Sequence, residues 1–278
     1  MTRHDFRQLD VFGSRPLSGN PLAVVVDADD LDAGQRQAFA RWTGLAETTF
    51  LSEPTDRSAD YQVHIHTPER ELPFAGHPTL GSAVAWLDAG GRPAEEGRVV
   101  QQCAAGLVPV RVDGPRLAFA APPLTRYEPV ESELLDRVAT GLGLTREDIL
   151  DASWLVNGPE WLGVRLASAE QVLGVQLVPA GVLGLDIGVV GPHPAGAEVQ
   201  FEVRAFIPGG AVPEDPVTGS LNAGLAHWLM DTGRAPDSYV AAQGTAIGGA
   251  GRVHVERDAE ALWIGGDVAP VVSGTVDL

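Results

Sequence analysis

The chain has 278 residues, 44% hydrophobic and 20% charged, the balance of a globular protein with a core of its own in one large domain or two. Its 37 acidic residues against 19 basic ones leave a net charge of -18, which argues against nucleic-acid and anionic-membrane partners, because phosphates need clustered cations. All 19 cations are arginine, which excludes a lysine Schiff base and a Walker-type lysine, and the single Cys103 excludes an internal disulfide and two-thiol chemistry.

In chain order, residues 6–12 and 22–26 read as strands joined by a turn containing Gly13, Pro16, Gly19, Asn20 and Pro21. Residues 31–42 suggest a weakly amphipathic helix, with Ala38, Phe39 and Trp42 on one side. Strands are expected at 48–51 and 61–66. A small, apolar helix follows at 77–87, stopped by Gly90-Gly91. Residues 99–102, 107–112 and 116–119 form a meander, with Asp113-Gly114 as a hairpin turn. Ala120-Ala121-Pro122-Pro123 is the linker.

Beyond it come a helix at 131–141, strands near 154–156 and 161–166, and a capping-box pattern at Ser168-Ala169-Glu170-Gln171. A strand at 199–207 precedes a second apolar helix at 220–230, stopped by Gly233. Short strands near 253–255 and 262–264 close the chain. The apolar tract 172–191 holds Gln176, Pro179, Asp186 and five glycines, so it reads as strands and turns, not a membrane span. The first five residues show no apolar targeting segment, and a cytoplasmic protein is the expectation.

The two halves repeat. Tyr61 through Pro68 aligns with Phe201 through Pro208, and after a three-residue insertion the register continues at an offset of 143. Pro73 then matches Pro216, Gly76 matches Gly219, Gly81 matches Gly224, and Asp88 matches Asp231. Each half reads as a strand, a Pro-bearing loop, and a glycine opening a small-residue helix. Such a pair commonly binds ligand between its halves. Helix starts at Gly76-His77-Pro78 and Gly219-Ser220 favour an anion through free N–H groups and the helix dipole. The alternative is that these glycines only allow close helix packing.

Three ionisable residues lie nearby. His77 at its helix start is expected to stay neutral. Asp215 is either a turn carboxylate or a site group. Glu47 is either an exposed loop glutamate or, if buried in its small apolar setting, a general acid/base. His64-Ile65-His66 places two imidazoles on one strand face, a possible metal pair without a third ligand at recognisable spacing. Gly-x-Ser-x-Gly and a helix-opening Gly-x-Gly-x-x-Gly are both missing, which leaves a hydrolase elbow and a dinucleotide fold unsupported.

Five segments together resemble the phenazine-biosynthesis isomerase family (PhzF-like proteins), related in fold to diaminopimelate epimerase. They are Asp10-Val11-Phe12 with Gly19-Asn20-Pro21-Leu22-Ala23-Val24, then Ala46-Glu47-Thr48-Thr49-Phe50 and the run from Glu71 to Thr79. The run from Glu214 to Ser220 and Gln243-Gly244 complete the set. The resemblance implies an α+β fold of two pseudo-symmetric halves, each a mostly antiparallel barrel-like sheet around a central helix. The halves would span 1–119 and 120–266, with a last strand at about 267–278 returning to the first half.

It also implies a site in a cleft between the halves, with Glu47 as acid/base, His77 and Asp215 as its companions, and Asn20, Gly76, Gly219 and Ser220 binding substrate. Related epimerases carry a thiol before the glycine of each half, where this chain has Ala75 and Thr218. The implied activity is a cofactor-independent proton shift on a small anionic acid, without a metal, in a possible homodimer. The competing expectation is a non-catalytic binding or regulatory protein on the same scaffold. The family often has arginine and phenylalanine where this chain has His64 and His66.

Overall fold

A hairpin with a long turn opens the chain. β1 (Arg3–Val11) and β2 (Asn20–Val25) pair antiparallel, from Phe6 opposite Val25 to Val11 opposite Asn20. The computed structural model describes residues 2–114, 116–209 and 213–278. Helix α1 (Ala33–Thr43) follows, begun by an Asp32–Gln35 capping box and ended by Gly44 at φ 67. β3 (Thr48–Ser52) runs parallel to β2, and β4 (Tyr61–His66) antiparallel to β3. The short β5 (Glu71–Leu72) pairs with the end of β4 and leads into α2 (Gly76–Asp88). β6 (Arg98–Cys103) lies parallel to β4, and β7 (Gly106–Asp113) and β8 (Arg116–Ala120) complete an antiparallel meander.

The C-terminal strand Leu262–Asp277 closes this sheet. It pairs with β8 and, antiparallel, with β1, from Arg3 opposite Asp277 to Val11 opposite Val268. Eight strands thereby form a closed barrel within the unit Met1–Ala120 plus Gly265–Leu278. α2 lies inside it and packs on β1 to β4 and β6 to β8. Its residues 76–83 are all buried, so the first two turns of the helix are enclosed on every side.

The unit Ala121–Ile264 repeats the plan. It contains β9 (Arg126–Pro129), α3 (Ser132–Gly141), β10 (Asp151–Val156), β11 (Glu160–Arg165), α4 (Ala169–Gly174) and β12 (Asp186–Pro192). β13 (Phe201–Phe206), β14 (Glu214–Asp215), α5 (Gly219–Asp231), β15 (Ser238–Gln243) and β16 (Gly251–Arg257) follow. The pairings from β10 to β16 alternate antiparallel and parallel in the same order as those from β1 to β7. The strands use both faces. Leu162, Val164, Ile187 and Val189 join a core with Leu135 and Val138 of α3. Gly163 and Gly188, between them in sequence, face Trp228 and Leu221 of α5 instead.

The sequence repeat falls on equivalent positions. β4 and β13 begin at Tyr61 and Phe201, and α2 and α5 at Gly76 and Gly219. The three inserted residues lie between Pro208 and Glu214, where 210–212 are outside the described residues. Three expectations need correction. The strand expected at 262–264 runs on to Asp277. The tract 172–191 includes the end of α4 and a 3-10 turn at Pro179–Gly181 as well as β12. β9 and β15 stand where the sequence reading placed no strand. Among the described residues no helix is long and apolar enough to cross a membrane.

Candidate active site

In the first unit the site residues are set by the β1–β2 turn. The buried Asp10 carboxylate accepts from the N–H groups of Ser18 (2.5 Å) and Gly19 (2.8 Å). Gly19 passes so close to β1 that an added Cβ would lie 2.1 Å from the Val11 carbonyl oxygen, so only glycine fits. This turn delivers Asn20, buried, to the first position of β2. Its Nδ2 lies 3.4 Å from Nδ1 of His77, the second residue of α2. On the other side of the ring, His77 Nε2 lies 3.4 Å from Glu47 Oε2.

Glu47 immediately precedes β3, and its side chain is 17% exposed against 6% for His77. Burial pushes the imidazole down to about 3, so the ring is neutral at neutral pH and the contact with Glu47 is not an ion pair. With Asn20 donating to Nδ1, the single ring proton sits on Nε2, facing the Glu47 carboxylate. The neutrality expected of His77 at its helix start is therefore met, with burial as its cause.

The start of α2 is anchored from behind. Thr79 Oγ1 donates to the Ala75 carbonyl (2.9 Å) and accepts from Gln101 Nε2 (3.0 Å), and Gln101 Oε1 accepts from the Tyr61 hydroxyl (3.0 Å). Ala75, at the N-cap, supplies no capping side chain, and Gly76 is buried beside it. The backbone N–H groups of this first turn are the donors an anion would use.

In the second unit, Asp215 ends β14 opposite Ala205, and its Oδ2 accepts from the Thr218 hydroxyl at 2.5 Å. The fully buried Gln243 binds both ends of this segment. Its Oε1 accepts from Thr218 N–H (3.1 Å) and Asn222 Nδ2 (2.8 Å). Its Nε2 donates to Thr218 Oγ1 (3.0 Å) and to the Asp215 carbonyl (3.1 Å). Because the amide donates into Thr218 Oγ1, the hydroxyl proton points to Asp215, whose oxygen is an acceptor there. Gly219 is buried at the first position of α5. Ser220, the repeat partner of His77, accepts from Trp161 Nε1 at Oγ (3.0 Å) and from Asn157 Nδ2 at its carbonyl (2.9 Å).

The first unit thus brings Asn20, His77 and Glu47 together, with Gly76 adjacent. The second gathers Asp215, Gly219 and Ser220 on one segment. Sequence reasoning missed Gln101, Asn157 and Trp161, and placed Thr79 and Gln243 only within motifs. The available signal was Gly244, at φ 90 and close under Pro216, where an added Cβ would lie 2.8 Å from a carbonyl oxygen. His64 and His66 have other partners: His64 Nδ1 lies 2.8 Å from Glu71 Oε1, and His66 Nδ1 lies 3.0 Å from Gln37 Oε1. Among the described residues no three His, Cys, Asp or Glu side chains are grouped to hold a metal ion.

The chain matches the family model for phenazine biosynthesis-like protein over residues 9–274. It is 34% identical to antisense-enhancing sequence 1 of Schizosaccharomyces pombe, over 99% of each chain. It is 32% identical to trans-2,3-dihydro-3-hydroxyanthranilate isomerase of Pseudomonas aeruginosa, over 92% of this chain and 91% of the other. A solved structure of a predicted epimerase from Pseudomonas aeruginosa matches with a TM-score of 0.81 at 26% identity, covering 98% of this chain and 99% of that one. A match of this length, on a barrel built around a buried helix, places the chain in the phenazine biosynthesis-like (PhzC-PhzF) family of isomerases.

Proposed function

We propose that the chain is a cofactor-independent isomerase that moves a proton between two carbons of a small anionic carboxylic acid, with Glu47 as the single acid/base. The observation behind this reading is the 3.4 Å contact between Glu47 and a buried, neutral His77. Glu47 takes the proton from carbon, and the electron pair left behind spreads into the adjoining unsaturated or carboxyl system. Glu47, its proton partly exchanged with solvent, then delivers a proton to a second carbon, so the enzyme ends unchanged. The His77 Nε2–H orients the carboxylate, and Asn20 fixes the ring.

Gly76 and the first-turn N–H groups of α2 serve the substrate's negative charge, and Gly219 and Ser220 are assigned the same part in α5. Asp215, held as an acceptor by Thr218, is assigned to a donor group of the substrate or to proton relay. A cyclic amino-bearing acid, of the kind named for the Pseudomonas relative, is the substrate class. A cytoplasmic homodimer belongs to the same reading.

The test is proton exchange in D2O with a panel of small carboxylic acids and a metabolite extract, read by mass spectrometry. Wild type is expected to incorporate deuterium into one acid. Glu47→Gln, with an unchanged circular dichroism spectrum, is expected to lose at least about 100-fold in rate. Full activity in that variant would overturn the assignment of the base.

A further inference from the structure

The two units secure their short strands by different chemistry. On β13, Arg204 forms a two-pronged pair with Glu214 of β14, Nε to Oε1 at 2.9 Å and Nη2 to Oε2 at 2.7 Å. It also donates to the carbonyls of Val172 (3.3 Å) and Val175 (2.8 Å) at the end of α4. Arginine is charged at every working pH, so β14 and the adjoining Asp215 are held permanently.

The internal repeat puts His64 of β4 where β13 has Arg204, Glu71 of β5 where β14 has Glu214, and His66 where Phe206 stands. The ion pair is conserved in place and changed in kind. His64 Nδ1 meets Glu71 Oε1 at 2.8 Å, with the side chains 23% and 40% exposed. His66 Nε2 is 4.0 Å from Glu71 Oε2, and burial lowers the His66 pKa, so this ring adds little charge. The groups facing the cluster are Glu71 on β5, His66 and Gln62 on β4, Arg36 and Gln37 on α1, and Phe50 opposite His64 on β3. From Glu71 the chain reaches Gly76-His77 in five residues, so β5 leads directly into the start of α2.

We infer that His64 and Glu71 are positioning residues, forming a protonation-dependent clasp that seats the start of α2, and with it His77, while the matching clasp on β14 is permanent. The pair is fully charged where the imidazole is protonated and the carboxylate ionised. An imidazole gives up its charge as pH rises, in general between about pH 5 and 8. The clasp therefore loosens toward alkaline pH. Only its consequence for turnover rests on the isomerase reading.

The test is amide hydrogen exchange by mass spectrometry at about pH 5.5 and about pH 8, corrected for intrinsic rates. In wild type the peptide covering 71–77 is expected to exchange about two- to fivefold faster at the higher pH, the scale of an exposed ion pair. The peptide covering 214–220 is expected to stay constant. His64→Arg copies the residue of the other half and is expected to abolish the difference. Glu71→Gln is expected to abolish it too, by leaving no charged partner. A wild-type profile without the difference, or one that survives in both variants, would overturn the clasp. Absence of turnover at any pH would sink the isomerase reading and leave the exchange result to decide the clasp by itself.

Discussion

His77 shows what a single buried ring costs and supplies. Its folded pKa is about 3, against roughly 6.5 in an unfolded chain. Below about pH 6.5 the unfolded state takes up a proton that the folded state refuses, so stability falls as the pH falls toward 3. The slope from this ring is about 1.4 kcal/mol per pH unit at most. His66 and His227, lowered by burial as well, act in the same direction. His77→Gln is therefore expected to be the less acid-sensitive protein, seen as a shallower decline in urea-unfolding free energy between about pH 6 and about pH 4. An unchanged decline would mean that the ring is charged in the folded protein. The same neutrality leaves Nε2 3.4 Å from the Glu47 carboxylate without forming a fixed ion pair.

The central helices depend on close approach. Gly224 of α5 lies over Leu155 of β10, where an added Cβ would stand 3.0 Å from the Leu155 Cβ and 3.2 Å from its carbonyl oxygen. Both atoms belong to a paired strand and have little room to yield. Gly224→Ala should cost about 1–3 kcal/mol, measured by chemical denaturation, despite the better helix propensity of alanine. A neutral or stabilising result would show that β10 can shift. Legibility follows the same physics. Tyr61–His66 could be read because its β-branched and aromatic residues sit in a compact run, and both central helices because each is a run of small and apolar residues with no Arg, Glu or Asp before its closing Asp.

Within the tract 172–191 a strand was expected but not placed, because Gly188, facing Leu221, interrupts the apolar run of β12. The last strand was cut short at Gly265-Gly266, a sequence that looks like a stop. In the fold, Gly265 is where the strand passes β8, an added Cβ there falling 2.7 Å from the Leu117 carbonyl oxygen. Glu47 and His77 could be found from local motifs. Gln243 could not be tied to Asp215, because the contact joins residues 28 apart through a buried amide that leaves no periodic signature.

At the scale of the whole molecule, the first barrel is closed by the last residues of the chain. Arg3 pairs with Asp277, and Thr2 and Leu278 exchange backbone hydrogen bonds at the very ends (2.6 and 2.9 Å). Removing residues 268–278 deprives β1 of a partner along its whole length. Such a truncation is expected to abolish protection of β1, β2 and α2 in hydrogen exchange, while β10 to β13 keep theirs. Equal protection in both units would show that the barrel stands without its closing stave. During synthesis this geometry imposes an order. The strands made first must wait for Leu262–Asp277, which is made after the whole second unit, so the early half leaves the ribosome with its edge strands unpaired and its apolar helix unsheathed. The second unit can condense meanwhile, and emergence of Leu262–Asp277 becomes the moment at which the first half acquires its core.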